Sequence, residues 1–251
     1  MQMRLFRLEV DSEGVALLTK QYGERIIAAL GLMQGCRYAG LAQSVHSPER
    51  CISITLWDTP VQAEAYERSG VFGELLRESE IFFSPSVEYT IRLSEDLKVE
   101  YVPVRSEPVA ASYPVAAQSD PGTGGRGLAG AGCLRIISLE ILPEKIAEFK
   151  SLYVSESIPA LRNAPGCRHV ILLENDRKKE EFFSITVWES IEKAEEFGRG
   201  GVFRGLIDSQ KHTFSAHAQG KLLAGDDPAL SRGTGDLLEE LYTVLIGRTF
   251  S

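Results

Sequence analysis

Four cysteines in 251 residues, none in a Cys-x-x-Cys pair, deny this chain the spacing of a structural zinc site. Cys36, Cys51, Cys133 and Cys167 read as small buried thiols, with a disulfide or a reactive thiol as the alternative. Positive charge is also short. The 27 Lys and Arg are outnumbered by 35 Asp and Glu, for a net charge of −8. That balance argues against nucleic acid or an anionic membrane as the main partner, because both require a basic footprint. No apolar run reaches the ~18 residues of a membrane span. The N-terminus, Met1-Gln2-Met3-Arg4-Leu5-Phe6-Arg7-Leu8, lacks a long apolar core and a cleavage site, so the expected location is the cytoplasm. Neither G-x-S-x-G, H-E-x-x-H nor a P-loop occurs, so no nucleophile elbow, zinc helix or nucleotide cradle is indicated. No metal and no cofactor are expected.

What the chain does have is a repeat. Gly35-Cys36-Arg37 recurs as Gly166-Cys167-Arg168, Ser53-Ile54-Thr55-Leu56-Trp57 as Ser184-Ile185-Thr186-Val187-Trp188, and Gly70-Val71-Phe72 as Gly201-Val202-Phe203. Each pair is 131 residues apart (166 − 35 = 131, 201 − 70 = 131). Residues 4–84 align with 135–215 without a gap, and 27 of the 81 pairs are identical. The chain is therefore a tandem duplication. The expected division is a first repeat at 1–104, a linker at 105–132 rich in Pro, Gly and Ala, and a second repeat at 133–251.

Each repeat reads as strand, helix, strand, strand, helix, strand. In the second, Leu134 to Leu142 has the β-branched and leucine content of a strand. Pro143-Glu144 opens a helix in which Ile146, Phe149 and Tyr153 share one face, with Pro159 as a predicted kink. Cys167 to Glu174 and Glu181 to Trp188 form a hairpin around Asn175 to Lys179, and Ser190 caps the second helix. The last strand aligns Glu100-Tyr101-Val102 with Leu241-Tyr242-Thr243, which implies an insertion of about ten residues in the second repeat (242 − 101 = 141), placed between Ala224 and Gly235. The β-α-β-β-α-β order is ferredoxin-like, α+β, with an antiparallel sheet that carries both helices on one face. The bare face of each sheet needs cover. Two sheets on one chain can supply it to each other, giving an intrachain barrel with the helices outside.

The repeat resembles the antibiotic biosynthesis monooxygenase family, whose fold is the dimeric α+β barrel. The resemblance rests on Ala164-Pro165-Gly166-Cys167, on Thr186-Val187-Trp188-Glu189-Ser190 with Thr55-Leu56-Trp57-Asp58-Thr59, and on the Gly-Val-Phe steps of the second helices. It implies a cofactor-independent oxygenase in which an activated aromatic or quinone-like substrate reduces oxygen through its own carbanion. The alternative is a non-catalytic barrel that binds a small ligand or serves in a stress response. A related branch degrades heme with a Trp and a His on the second helix. The matching positions here hold Phe197 and Ile207 (Tyr66 and Leu76 in the first repeat), so the resemblance argues against heme degradation.

Candidate pocket residues are Tyr38, His169, Tyr66, Phe197, Trp57, Trp188, Tyr22 and Tyr153, with no catalytic residue assigned. His169 and its counterpart Tyr38 either line a pocket or sit half-exposed on a strand. Trp57 and Trp188 bury a large area where sheet meets helices or wall a pocket. Tyr22 and Tyr153 pack toward the sheet or bring a hydroxyl to a pocket rim. His46, His212 and His217 read as surface or loop residues. Arg37 and Arg168 read as members of exposed ion pairs, with anion binding as the alternative. Ser53, Thr55, Ser184 and Thr186 share one strand face with the tryptophans; cross-strand bonding between the two sheets is the favoured place for it, a pocket the other. The expected partner is a small molecule, and the expected assembly is an intrachain pseudo-dimer with further homo-oligomers possible.

Overall fold

The computed structural model describes residues 1–93, 99–105, 107–119, 128, 130–215 and 239–250. The first repeat contributes β1 (Gln2–Glu9), β2 (Cys36–Ser44) and β3 (Arg50–Trp57). Between β1 and β2 run α1 (Gly14–Gln21) and α2 (Ile27–Gly31), joined through a π turn at Tyr22–Ile26. After β3 come α3 (Pro60–Arg68) and α4 (Val71–Ser79). Then follow β4 (Pro85–Leu93), β5 (Val99–Arg105) and β6 (Val109–Gln118). The second repeat contributes β7 (Cys133–Glu140), α5 (Ile146–Leu152), a π turn at Tyr153–Ser157 and α6 (Ile158–Arg162). It continues with β8 (Cys167–Glu174), β9 (Glu181–Trp188), α7 (Ile191–Gly198), α8 (Gly201–Gln210) and β10 (Glu239–Thr249).

Eight strands close into one antiparallel barrel in the order β1-β3-β2-β10-β7-β9-β8-β6. Each repeat supplies four adjacent strands in ferredoxin-like order. The two sheets are sealed edge to edge, β10 on β2 and β6 on β8. Closure removes the unpaired edges that an isolated four-stranded sheet would expose.

The last strand of the first repeat differs from the expectation. Glu100-Tyr101-Val102 belongs to β5, which pairs with β4 in a separate two-stranded sheet. The barrel strand is β6, inside the stretch expected to be a linker. Met3 faces Tyr113 across β1 and β6, and its counterpart Leu134 faces Tyr242 across β7 and β10. The true offset there is 129 (242 − 113 = 129), two residues shorter than elsewhere, and no ten-residue insertion is needed. The place predicted for that insertion, 224–235, lies outside the described residues. So does His217.

Strand alternation divides the side chains between two environments. Met3, Leu5, Ile52, Ile54, Leu56, Ile136, Ile171, Ile185 and Val187 fill the barrel. The opposite faces carry one helix layer each. In the first, Leu18, Tyr22, Leu30, Trp57, Tyr66 and Phe83 pack together. In the second, Phe149, Tyr153, Leu161, Phe182, Trp188 and Phe214 do so. Each layer also takes residues from the end of the other repeat: Ile246 of β10 and Phe250 just after it enter the first, Ala117 of β6 the second.

The π turns recur at matched positions (153 − 22 = 131). The first holds Ala28 where the second has Pro159, so proline does not cause them. Leu18, Tyr22, Ile26 and Leu30 stand four residues apart yet share one face. In a regular α-helix such a row drifts by about 40° per step. The wider i→i+5 turn takes back part of that drift.

Candidate functional site

The face with the serines, threonines and tryptophans looks toward the helices, not into the interface between the sheets. Tyr22 reaches across from the π turn; its hydroxyl donates to the Gly40 carbonyl at 3.0 Å and lies 2.7 Å from Ser53 Oγ. Tyr153 meets Ser184 Oγ at 2.7 Å. The Trp57 indole N–H donates to Thr55 Oγ1 at 2.9 Å, and Trp188 to Thr186 Oγ1 at 2.8 Å. The hydroxyls expected to bond across the sheets instead satisfy polar atoms of aromatic side chains that would otherwise be stranded in an apolar layer.

In the first layer the packing leaves a cavity of about 60 Å³ between β1, β3 and the helices. A buried water needs roughly 10–15 Å³, so the space exceeds a single one. Its wall is mostly apolar: Phe6, Leu8, Leu18, Ile26, Leu30, Phe72, Leu75, Leu76 and Phe83. The polar groups on it are Arg4, Tyr22, Ser53, Thr55, Tyr66 and Ser79. Tyr66 stacks on Trp57 with centroids 5.4 Å apart and meets Phe72 edge-on at 5.6 Å.

Arg4 is the charged member. Its side chain is only 7% exposed, and its guanidinium carbon lies 5.1 Å from the Phe72 ring centre and 5.8 Å from that of Tyr66. Burial pushes its pKa down, against the pull of the Glu67 carboxylate on α3, with which it forms an ion pair. An arginine stays protonated even so, and a cation in such a place needs an anion. Burial raises both phenols: Tyr66 to about 12, and Tyr22 further, against the bond from Ser53. The lining thus offers hydrogen-bond donors and one cation, and no side chain suited to take a proton at neutral pH.

Of the residues singled out from sequence, Tyr22 and Tyr66 meet at this cavity. Trp57 stands behind Tyr66, fully buried. Tyr153, Trp188 and Phe197 occupy the second layer, with Trp188 and Phe197 5.3 Å apart. Tyr38 and His169 belong to neither layer. They face the barrel interior opposite Leu56 and Val187. His169 is 1% exposed, not a half-exposed strand residue, and its Nδ1 lies 3.1 Å from Ser119 Oγ. Arg37 pairs with both carboxylate oxygens of Asp58 at 2.7 Å, and Arg168 with Glu189 at 3.4 Å, as read from sequence. Both arginines stand at a bulge that turns them outward. All four cysteines are free thiols, raised by burial to about 11 for Cys51 and about 12 for the others.

Arg4 was overlooked, and so was its counterpart Arg135, 2% exposed. The signal was present: an arginine matched between repeats, on the same strand face as Phe6 and Leu8. In the second layer Phe149 stands where the first has Leu18, and Phe182 where it has Cys51 (149 − 18 = 131, 182 − 51 = 131). Their rings pack with centroids 5.3 Å apart, and Phe214 joins at 6.3 Å. Arg135 sits 4.4 Å over Phe203 and donates to both Glu239 oxygens at 2.7 and 3.0 Å.

Comparison with known proteins fits this architecture. Residues 133–207 match the family described as antibiotic biosynthesis monooxygenase. The second repeat is an antibiotic biosynthesis monooxygenase domain. No curated protein matches the sequence. A candidate monooxygenase of Lactobacillus acidophilus NCFM superposes with a TM-score of 0.65 at 8% identity, over 99% of this chain and 95% of its own. One from Fusobacterium nucleatum gives 0.66 at 10% identity, over 99% and 94%. An anthrone oxidase-like protein gives 0.56 at 12% identity, over 99% and 92%. At such identities the likeness concerns the fold alone. In the antibiotic biosynthesis monooxygenase domain Phe197 and Ile207 pack into the second layer, while Tyr66 and Leu76 of the first repeat line the cavity. No helix among the described residues is long and apolar enough to cross a membrane.

Proposed function

We propose that this chain is a cofactor-independent monooxygenase that holds a small aromatic or quinone-like molecule as its anion in the cavity of the first repeat. The observation that carries this reading is the buried Arg4 guanidinium on the wall of an otherwise apolar space. Such a site favours a flat ring bearing one negative oxygen. Fixed positive charge in a dry pocket stabilises a phenolate or enolate more strongly than it would in water. The electron balance needs no helper: an activated methylene and O2 give a carbonyl and water, the substrate supplying the electrons. Arg4 would hold the anion, Tyr22 and Ser53 would shape its polar end, and Tyr66 and Phe72 would flank the ring.

The missing base favours a second reading, a barrel that binds such an anion without turning it over. Oxygen uptake with acidic phenols, quinols and enolisable ketones separates the two. Under the first reading at least one compound is consumed. The rate then follows that compound's own ionisation rather than a side chain's, and Arg4→Gln lowers kcat/KM by about tenfold or more. Saturable binding without uptake leaves the second reading. Turnover unaffected by Arg4→Gln removes the site from both.

A further inference from the structure

Resting on that site, we infer that Glu67 is a displaceable occupant of the anion seat, and that the chain has one such seat rather than two. The two buried arginines are equivalent in sequence and strand, yet they are neutralised differently. Arg135 is held by Glu239, a carboxylate on the neighbouring strand β10, through two hydrogen bonds of 2.7 and 3.0 Å. Glu239 lies diagonal to Arg135, because Arg135 faces Leu241. Both partners stand on barrel strands, although the Glu239 side chain is 43% exposed, and rings rather than a cavity surround the guanidinium.

Arg4 has no such partner on β6. The position diagonal to it, which corresponds to Glu239, is Ala110, small and exposed. Its carboxylate comes from Glu67 at the C-terminal end of α3, so it is held by a helix and not by the neighbouring barrel strand; the two carboxylates are equally exposed, 42% for Glu67 and 43% for Glu239. The second repeat has Gly198 at that place, and a Cβ there would come within 3.0 Å of Arg135 Nη2. Arg4 thus takes its carboxylate from a helix instead of the adjoining barrel strand and stands on the wall of a cavity, whereas Arg135 packs against a ring. A ligand anion replaces that carboxylate charge for charge, so the guanidinium is never left bare. A neutral ligand cannot do so, and the seat selects for anions.

The test is binding of 4-nitrophenolate, followed by absorbance at a pH where the probe is fully ionised, with nitrobenzene as the neutral comparison. The full-length protein should bind one equivalent of 4-nitrophenolate. Glu67→Gln removes the competing charge and should tighten that binding about two- to fivefold, the scale of a half-exposed ion pair, and leave nitrobenzene unchanged. Ala110→Glu moves the second repeat's lock onto an exposed position of the first and should weaken the probe by about tenfold or more. Unchanged or weaker binding in Glu67→Gln, or unchanged binding in Ala110→Glu, overturns the inference. Two equivalents per chain, or no binding at all, does so too. Oxygen uptake is scored separately: uptake with no response to Glu67→Gln sinks the seat and spares the enzyme, while a tightened probe without uptake does the reverse.

Discussion

Tyr22 and Tyr153 make the same bond to a strand serine in both halves, and each hydroxyl lies in an apolar layer. Removing one leaves a strand serine oxygen, buried for Ser184 and half-buried for Ser53, and in the first half the Gly40 carbonyl too, with one partner fewer. Tyr22→Phe and Tyr153→Phe should each cost about 1 kcal/mol. A lower urea midpoint at unchanged slope is the expected result; equal midpoints would mean the bonds contribute nothing. The buried phenols also set an alkaline limit. Burial favours the uncharged form, so Tyr38 and Tyr66 are raised to about 12, and Tyr22, Tyr153 and Tyr242 are raised as well. For an acid whose folded pKa lies above its unfolded value of about 10, the stabilisation is complete below that value and is lost as pH climbs past it. Phenolate absorbance should therefore lag and then rise together with loss of the far-ultraviolet dichroism, above pH ~10. Eight tyrosines titrating in one step near 10 with the fold intact would refute this. At this scale the sequence was half legible. Repetition singled out the tyrosines and tryptophans, whereas Arg4 looked like any strand arginine until the helices covered it.

Among the elements, the junction of β2 with β10 joins the two repeats, and its fit depends on glycine. A Cβ at Gly247 would come 2.4 Å from the Tyr38 hydroxyl oxygen, and one at Gly40 would come 2.3 Å from it. The ring lies across both glycines inside the barrel. Gly247→Ala should destabilise by about 1–3 kcal/mol, the range for overpacking a core. Adding Tyr38→Phe should restore part of that loss, because it deletes the clashing atom. A double-mutant cycle measures the coupling, and strict additivity would show that the two positions do not interact. Nothing in the repeat pattern announced this pairing, since Tyr38 and Gly247 belong to different copies. The same cause hid β6. Its sequence, Val109-Ala-Ala-Ser-Tyr-Pro-Val-Ala-Ala-Gln118, is rich in small residues and contains a proline, and so reads as a linker. It is a strand because β1 and β8 lie on either side of it. Pro114 cannot donate to a ladder, and the next amide, Val115 N, bonds to the Met1 carbonyl at 3.1 Å.

For the whole molecule, closure is the decisive property. Each four-stranded sheet presents Leu, Ile, Val and Tyr side chains to the other, and burying one such aliphatic side chain is worth about 1.5–3 kcal/mol. Neither half keeps that burial alone. Fragments 1–119 and 128–251 expressed together should copurify in equal amounts, and each alone should self-associate or precipitate. A half that stays a folded monomer on light scattering would mean that the shared barrel core is dispensable.

The sequence by itself determined the duplication, the βαββαβ order and the antiparallel α+β class, because strand and helix periods and a constant 131-residue offset are local properties. Only the tertiary structure decided which strand face meets the helices, which segment completes the first sheet, and which carboxylate each buried arginine receives. Those choices depend on neighbours far apart along the chain. Two repeats of one design therefore hold the same arginine in different company, and the difference lies in what each strand and helix packs against.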